Sequence, residues 1–125
     1  MLLVEDEALV AMMMQDVLED LGCTVFGPHR TIASAVGAAK EETVDLALLD
    51  INLGDELVYP AAEILASRGV GFVFLTGYDN EHVDPRFRHA PVLQKPFDRE
   101  ALQRALTEAS PPPAEKTIAR TAARA

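Results

Sequence analysis

LALLDINL, residues 46–53, is the stretch of sequence that decides the fold of this chain. Its first four residues form a continuous apolar run instead of an alternating one, which indicates a strand that is buried on both faces. The run ends in the carboxylate of Asp50, and a turn-prone segment that contains Gly54 follows it. Buried strands of this kind are typical of parallel sheets that are covered by helices.

Segments with strand and helix patterns alternate on both sides of this stretch. Further strands are predicted at residues 1–4, 24–26, 70–75 and 92–94, the second of them stopping at Gly27-Pro28. Helices are predicted at residues 10–21, 31–41, 59–67 and 98–109. The polar segment 79–90 has only a weak helical pattern. The alternation predicts an α/β fold, a flavodoxin-like doubly wound five-stranded parallel sheet of order 2-1-3-4-5 with helices on both faces.

Two of these helices have a clear inner face. In the first helix, the spacing predicts that the core is contacted by Val10, Met13, Met14, Val17, Leu18 and Leu21. In the last helix, whose N-cap is Asp98, the predicted inner residues are Ala101, Leu102, Ala105 and Leu106. The folded domain is expected at residues 1–109. Residues 110–125, first Pro-rich and then Ala/Arg-rich, are predicted to be a disordered tail or linker.

Composition and charge exclude several classes of function. The net charge of −9 leaves no basic footprint of the kind that nucleic acid binding requires, so no nucleic acid partner is expected. No apolar run approaches the roughly 18 residues of a membrane span. The N-terminus also lacks the basic flank of a signal peptide, so a cytoplasmic protein without membrane contact is expected. Cys23 is the single cysteine and is predicted to be a buried or half-buried hydrophobe.

Polar side chains follow the predicted strands at their carboxyl ends. Glu5 and Asp6 follow the first strand, Asp50 the third, Thr76 the fourth and Lys95 the fifth. Ligands of open α/β sheets bind at this edge, so the side chains are expected to converge there. Three carboxylates so close together need a cation, and Mg²⁺ prefers such oxygen ligands. With a lysine and a hydroxyl suited to holding an anion, the set indicates phosphoryl transfer to Asp50.

Four motifs carry a resemblance to a known family. They are LLVEDE (residues 2–7), LLDINL (48–53), FLTGY (74–78) and QKPF (94–97). In this order and at this spacing the sequence resembles the receiver domains of two-component response regulators, the CheY-like superfamily, over residues 1 to about 109. The resemblance implies a signalling domain that is not an enzyme in its own right.

The resemblance also implies a role for each matching residue. Asp50 is the implied phosphoacceptor, with Mg²⁺ as the cofactor. Glu5 and Asp6 are implied to position Mg²⁺, and the main-chain carbonyl of Asn52 is implied to ligate it. Thr76 is implied to engage the phosphoryl group, and Lys95 to form an ion pair with it. The peptide bond before Pro96 is implied to be cis.

Two positions differ from the usual receiver pattern. The acidic pair is Glu5-Asp6, with one longer side chain than two aspartates would have. Val92 replaces the aromatic residue that usually stands three residues before the lysine, and valine cannot act as the ring that couples to the threonine. The sequence from Phe74 to Tyr78 resembles the FAT GUY receivers, which lack the aromatic residue. The loop from Thr76 to Tyr78 and the segment after it are therefore hypothesised to carry the signal, by changing order when Asp50 is phosphorylated.

The resemblance implies a sensor histidine kinase, of the HWE/HisKA2 type in this subgroup, or a phosphotransfer protein as the phosphoryl donor. A downstream protein partner and a monomer or weak dimer are expected. One alternative is a receiver-like binding module that works independently of phosphorylation. A second is a phosphohydrolase of the haloacid-dehalogenase type, but this chemistry needs a carboxylate at the position of Asn52 as general acid and base.

Overall fold

The computed structural model describes residues 1–77 and 83–109. A five-stranded parallel sheet forms its centre. The strands of this sheet are β1 (Leu2–Val4), β2 (Phe26–His29), β3 (Leu46–Asp50), β6 (Gly71–Thr76) and β7 (Val92–Gln94). A separate antiparallel pair consists of β4 (Asn52–Leu53) and β5 (Glu56–Leu57). The order β2-β1-β3-β6-β7 confirms the predicted 2-1-3-4-5 arrangement, because β4 and β5 lie outside the main sheet.

Helices cover both faces of the sheet. They are α1 (Ala8–Asp20), α2 (Ile32–Glu41), α3 (Tyr59–Ser67) and α4 (Arg99–Ala109), with a 3-10 helix at Pro85–Phe87. Asp98 accepts a hydrogen bond from the main-chain nitrogen of Ala101, which confirms the predicted cap of α4. Within residues 1–77 and 83–109, no helix is long and apolar enough to cross a membrane.

Two apolar clusters lie on opposite faces of the sheet. In β1, Leu2 and Val4 belong to the cluster under α2 and α3, while Leu3 belongs to the one under α1 and α4. The predicted inner face of α4 is confirmed at Leu102, Ala105 and Leu106, which are buried, and Ala101 is half-buried. Cys23 is half-buried against the same cluster, as expected.

The prediction for β2 is wrong at both ends. This strand begins at Phe26 and continues through Gly27-Pro28 to His29. Proline is tolerated because β2 is an edge strand that pairs only with β1, and its register shifts along the pair. At Gly27, with φ of 123°, a Cβ atom would lie 2.5 Å from the carbonyl oxygen of Leu3, so the close approach of the two backbones requires glycine.

The prediction that Met13 faces the core is wrong. The buried residues of α1 are Ala11, Met14 and Leu18, whereas Met13 is 60% exposed. Successive helical residues are about 100° apart, so Met13 lies on the flank of the buried stripe that Met14 occupies. There it lines an open groove between α1 and the start of α4.

Candidate functional site

The polar residues predicted from the strand ends meet at one edge of the sheet. Among the described residues, the buried polar or charged side chains are Glu5, Asp50 and Thr76, which are 0%, 4% and 1% exposed. They follow or end β1, β3 and β6, which are neighbours in the sheet. Burying polar groups is costly unless they are paired, so their concentration at one place indicates a site.

The carboxylates of Glu5, Asp6 and Asp50 are each oriented by a main-chain N–H group. Glu5 Oε2 accepts a hydrogen bond from the nitrogen of Glu7 (3.1 Å), and Asp50 Oδ1 accepts one from the nitrogen of Asn52 (3.2 Å). Asp6 Oδ2 accepts one from Gly54 (2.9 Å), in the turn between β4 and β5. One oxygen of each carboxylate is thus held in place, and the other is left for the site.

Lys95 is the counter-charge of this cluster. Its Nζ lies 3.0 Å from Glu5 Oε1, 3.0 Å from Asp50 Oδ2 and 3.4 Å from Glu7 Oε1. Burial acts to lower the pKa of Lys95, but the contacts with Glu5 and Asp50 outweigh it and raise that pKa. The lysine therefore stays cationic at any physiological pH.

The charge balance is least favourable at Glu5. Burial raises the pKa of Glu5 to about 7, and the neighbouring carboxylate of Asp50 acts in the same direction. The hydrogen bond from Glu7 and the contact with Lys95 oppose this change without cancelling it. A single lysine does not compensate for several carboxylates so close together.

The donor set fits a hard divalent cation. One oxygen each from Glu5, Asp6 and Asp50 lies within 4.8 Å of the others. Glu5 Oε1 is buried without a hydrogen-bond partner, although Lys95 lies within ion-pair distance of it. Ligation of Mg²⁺ would give this buried oxygen a partner, and the neighbouring carboxylate oxygens are the type of ligand that Mg²⁺ prefers.

Thr76 and Lys95 are held next to each other by the pairing of β6 with β7. The main-chain nitrogen of Lys95 donates to the carbonyl of Thr76 at 2.8 Å. The peptide bond between Lys95 and Pro96 is cis, the geometry that the resemblance implied. Both side chains that were expected to hold an anion therefore lie at the same edge as Asp50.

Val92, which stands where receivers usually have an aromatic residue, is the first residue of β7. It is half-buried and packs against the apolar cluster under α2 and α3. Aromatic rings fill the neighbouring interior: Phe87 stacks on Tyr59 with ring centroids 5.6 Å apart, and Phe74 packs edge-on against both. Tyr78, which was hypothesised to carry the signal in the absence of the usual aromatic residue, lies outside the described residues.

Two contributions to the site were not predicted from the sequence. Gly54 was expected only as part of a turn, yet its N–H group orients Asp6. Glu7 was not singled out, although it contacts Lys95 through its side chain and Glu5 through its main chain. The signals available in the sequence were the glycine itself at position 54, which adopts a left-handed φ of 65° in the structure, and the third acidic residue in the run Glu5-Asp6-Glu7.

Comparison with known proteins agrees with this geometry. The family model for the response regulator receiver domain matches residues 1–107. The phyllosphere-induced regulator PhyR of Methylorubrum extorquens is 31% identical over 116 residues, a match that covers 86% of this chain and 42% of PhyR. The chain therefore spans less than half the length of PhyR.

Solved structures show the same similarity. SdrG of Sphingomonas melonis Fr1 is 47% identical with a TM-score of 0.78, over 86% of this chain and 92% of SdrG. The BeF3-activated conformation of SdrG from Pseudomonas melonis Fr1 is also 47% identical, with a TM-score of 0.72 over 86% of this chain and 92% of that chain. The receiver domain of the sensor histidine kinase PA1611 of Pseudomonas aeruginosa PAO1 holds a magnesium ion in its active-site cleft. It is 27% identical with a TM-score of 0.73, over 86% of this chain and 93% of that domain.

The strand order, the acidic cluster and the family match all lead to the same assignment. Receivers are signalling domains of two-component systems, not enzymes in the usual sense. The match covers nearly the whole described chain, including the elements that carry Glu5, Asp50, Thr76 and Lys95. This chain belongs to the response regulator receiver domain family.

Proposed function

We propose that this receiver accepts a phosphoryl group on Asp50 in a Mg²⁺-dependent reaction and then controls a partner protein. The observation that supports this most is the placement of Asp50 Oδ2. It lies 3.0 Å from Lys95 Nζ and belongs to a buried carboxylate that has an oxygen within 4.8 Å of oxygens of Glu5 and Asp6. A nucleophilic carboxylate with a fixed cation beside it and a divalent-cation site is what phosphoryl transfer to aspartate needs.

Each residue of the site has a separate role in the proposed phosphoryl transfer. An Asp50 oxygen forms the new bond to phosphorus, while the bond from phosphorus to the donor's imidazole nitrogen breaks and its electron pair returns to that nitrogen. Lys95 turns its ammonium from the carboxylates to a phosphoryl oxygen, and the Thr76 hydroxyl donates to another. Glu5, Asp6, Asp50 and the main-chain carbonyl of Asn52 would hold Mg²⁺, which would supply positive charge to offset the negative charge of the phosphoryl oxygens.

In this proposal the donor is a sensor histidine kinase or a phosphotransfer protein, and it docks beside the site. A groove of about 410 Å³ between α1 and α4 is lined by Met13, Met14 and Phe97 and also by Glu7 and Lys95. Met13 is the most exposed large apolar residue of this lining, at 60% exposed. A histidine that reaches Asp50 belongs to a partner that covers the mouth of the site, and this groove is continuous with that mouth.

The receiver in this proposal comprises residues 1–109. Residues 110–125, which lie outside the described part of the chain, act as a tail or linker.

The second candidate function is a protein-binding module that works without phosphorylation. The observation in its favour is Val92, which leaves the chain without the ring that usually couples the phosphorylated aspartate to the output surface.

A titration with beryllofluoride, a stable mimic of the aspartyl phosphate, separates these two functions. Two-dimensional amide NMR of the Mg²⁺-loaded chain should show saturable shifts at Asp50, Thr76 and Lys95. The shifts should be absent from Asp50→Ala and retained in Asp55→Ala, which removes an exposed carboxylate outside the cluster. A folded chain that binds Mg²⁺ but does not respond to beryllofluoride would refute phosphorylation and favour the binding module.

A further inference from the structure

The side chain of Glu7 lies at the mouth of the site and makes no capping contact with its own helix. Glu7 is nevertheless the N-cap residue of that helix, α1. Glutamate is also a poor capping residue compared with Ser, Thr, Asp or Asn. The side chain is 63% exposed, and its Oε1 lies 3.4 Å from Lys95 Nζ. Its carboxylate is therefore directed to the lysine.

Lys95 consequently faces two buried carboxylates, those of Glu5 and Asp50, and the exposed carboxylate of Glu7. A phosphoryl donor brings further negative charge and has to draw the ammonium to itself. Glu7 opposes this in two ways, because it competes for the ammonium and because its charge repels an anion at the entrance.

Glu7 also lines the groove between α1 and α4. A protein donor that docks there contacts Glu7 and can offer it a different partner. A small anionic donor in solution has no such contact and meets the negative charge alone. The side chain of Glu7 therefore hinders a small anionic donor more than it hinders a docked protein donor.

Resting on the proposed phosphorylation of Asp50, we propose that Glu7 is a specificity-determining positioning residue that acts through Lys95. It holds the lysine ammonium at the mouth and slows phosphorylation of Asp50 by small anionic donors, so that a docked protein donor is favoured.

Labelling of the full chain by acetyl phosphate in the presence of Mg²⁺ tests this role. We expect Glu7→Gln to be labelled about two- to fivefold faster than the native chain at low salt, the size expected of an exposed ion pair. At about 0.5 M salt the ratio should fall towards one, since exposed charges are then screened. Glu19→Gln, which removes an exposed carboxylate near the other end of α1, should behave like the native chain.

A spectroscopic measurement checks that the effect passes through Lys95. In the Mg²⁺-free chain, the ¹³Cε signal of Lys95 should shift in Glu7→Gln and not in Glu19→Gln, with Lys40 as the internal reference. Equal labelling rates and an unmoved Lys95 signal in Glu7→Gln, with the native chain labelled normally, would refute the role of Glu7 alone. Folded chains of which none is labelled by acetyl phosphate and none responds to beryllofluoride would refute the proposed function and, with it, this role.

Discussion

Replacing Glu5 by Gln removes the charge that the metal-free site stabilises least. Glu5 is fully buried, and its pKa is raised from 4.5 to about 7. A tenfold change in proton affinity is worth about 1.4 kcal/mol, so the ionised Glu5 destabilises the metal-free fold by about 3 kcal/mol above pH 7. Gln has the same size and no charge, so we expect Glu5→Gln to be up to about 3 kcal/mol more stable than the native chain there.

The sign of the pH dependence follows from the raised pKa. The folded chain keeps a proton on Glu5 that the unfolded chain releases between pH 4.5 and about 7. The free energy of unfolding of the native chain therefore falls as the pH rises through this window. Glu5→Gln lacks this loss, so the two proteins should be equally stable at pH 4.5 and differ most at pH 8.

Urea denaturation in EDTA, followed by circular dichroism at pH 4.5 and pH 8, measures this difference. Excess Mg²⁺ should then reverse the order at pH 8, because it stabilises the native site and the variant lacks one ligand. The Mg²⁺ affinity of the native chain should increase as the pH is raised towards 7, by up to about tenfold per pH unit, because Mg²⁺ binding releases the proton of Glu5. A variant that is less stable than the native chain at pH 8 in EDTA would refute the reasoning.

Two further predictions concern packing and hydrogen bonding away from the site. Gly71→Ala should lower the free energy of unfolding by about 1–3 kcal/mol, because the new Cβ overlaps the carbonyl oxygen of Ala109 at the end of α4. Gly37→Ala is the matched control in open space on α2 and should raise it by about 0.5–1 kcal/mol. Tyr59→Phe should cost about 1 kcal/mol, because its hydroxyl accepts from the main-chain nitrogen of Asp84. Thermal denaturation measures all three, and a Gly71→Ala protein as stable as the native chain would contradict the first.

The sheet and its acidic edge were predictable because they depend on short-range patterns. The continuous apolar run before Asp50 indicates a buried strand, and the carboxyl ends of parallel strands meet at one edge. Glu5, Asp6 and Lys95 follow from the same two facts. The metal and the phosphoryl chemistry are then consequences of residue type, and they stay proposals for this chain.

The errors arose where the tertiary structure decides. Helical spacing alone does not distinguish Met13 from Met14, because the position of α4 determines which flank of α1 stays open. Pro28 ends a strand inside a sheet but not at its edge, and the sequence does not state that β2 is an edge strand. The contact between Glu7 and Lys95 joins residues 88 positions apart, which no local pattern reports.

The central claim, that Asp50 accepts the phosphoryl group with Mg²⁺, is tested most directly by locating the modified residue. The native chain and Asp50→Asn would be incubated with acetyl phosphate, with Mg²⁺ or EDTA, and reduced with borohydride, which converts an aspartyl phosphate to homoserine. We predict homoserine in place of Asp50 in the native chain with Mg²⁺, and in none of the other samples. Homoserine at a different aspartate, or equal conversion in EDTA, would contradict the claim.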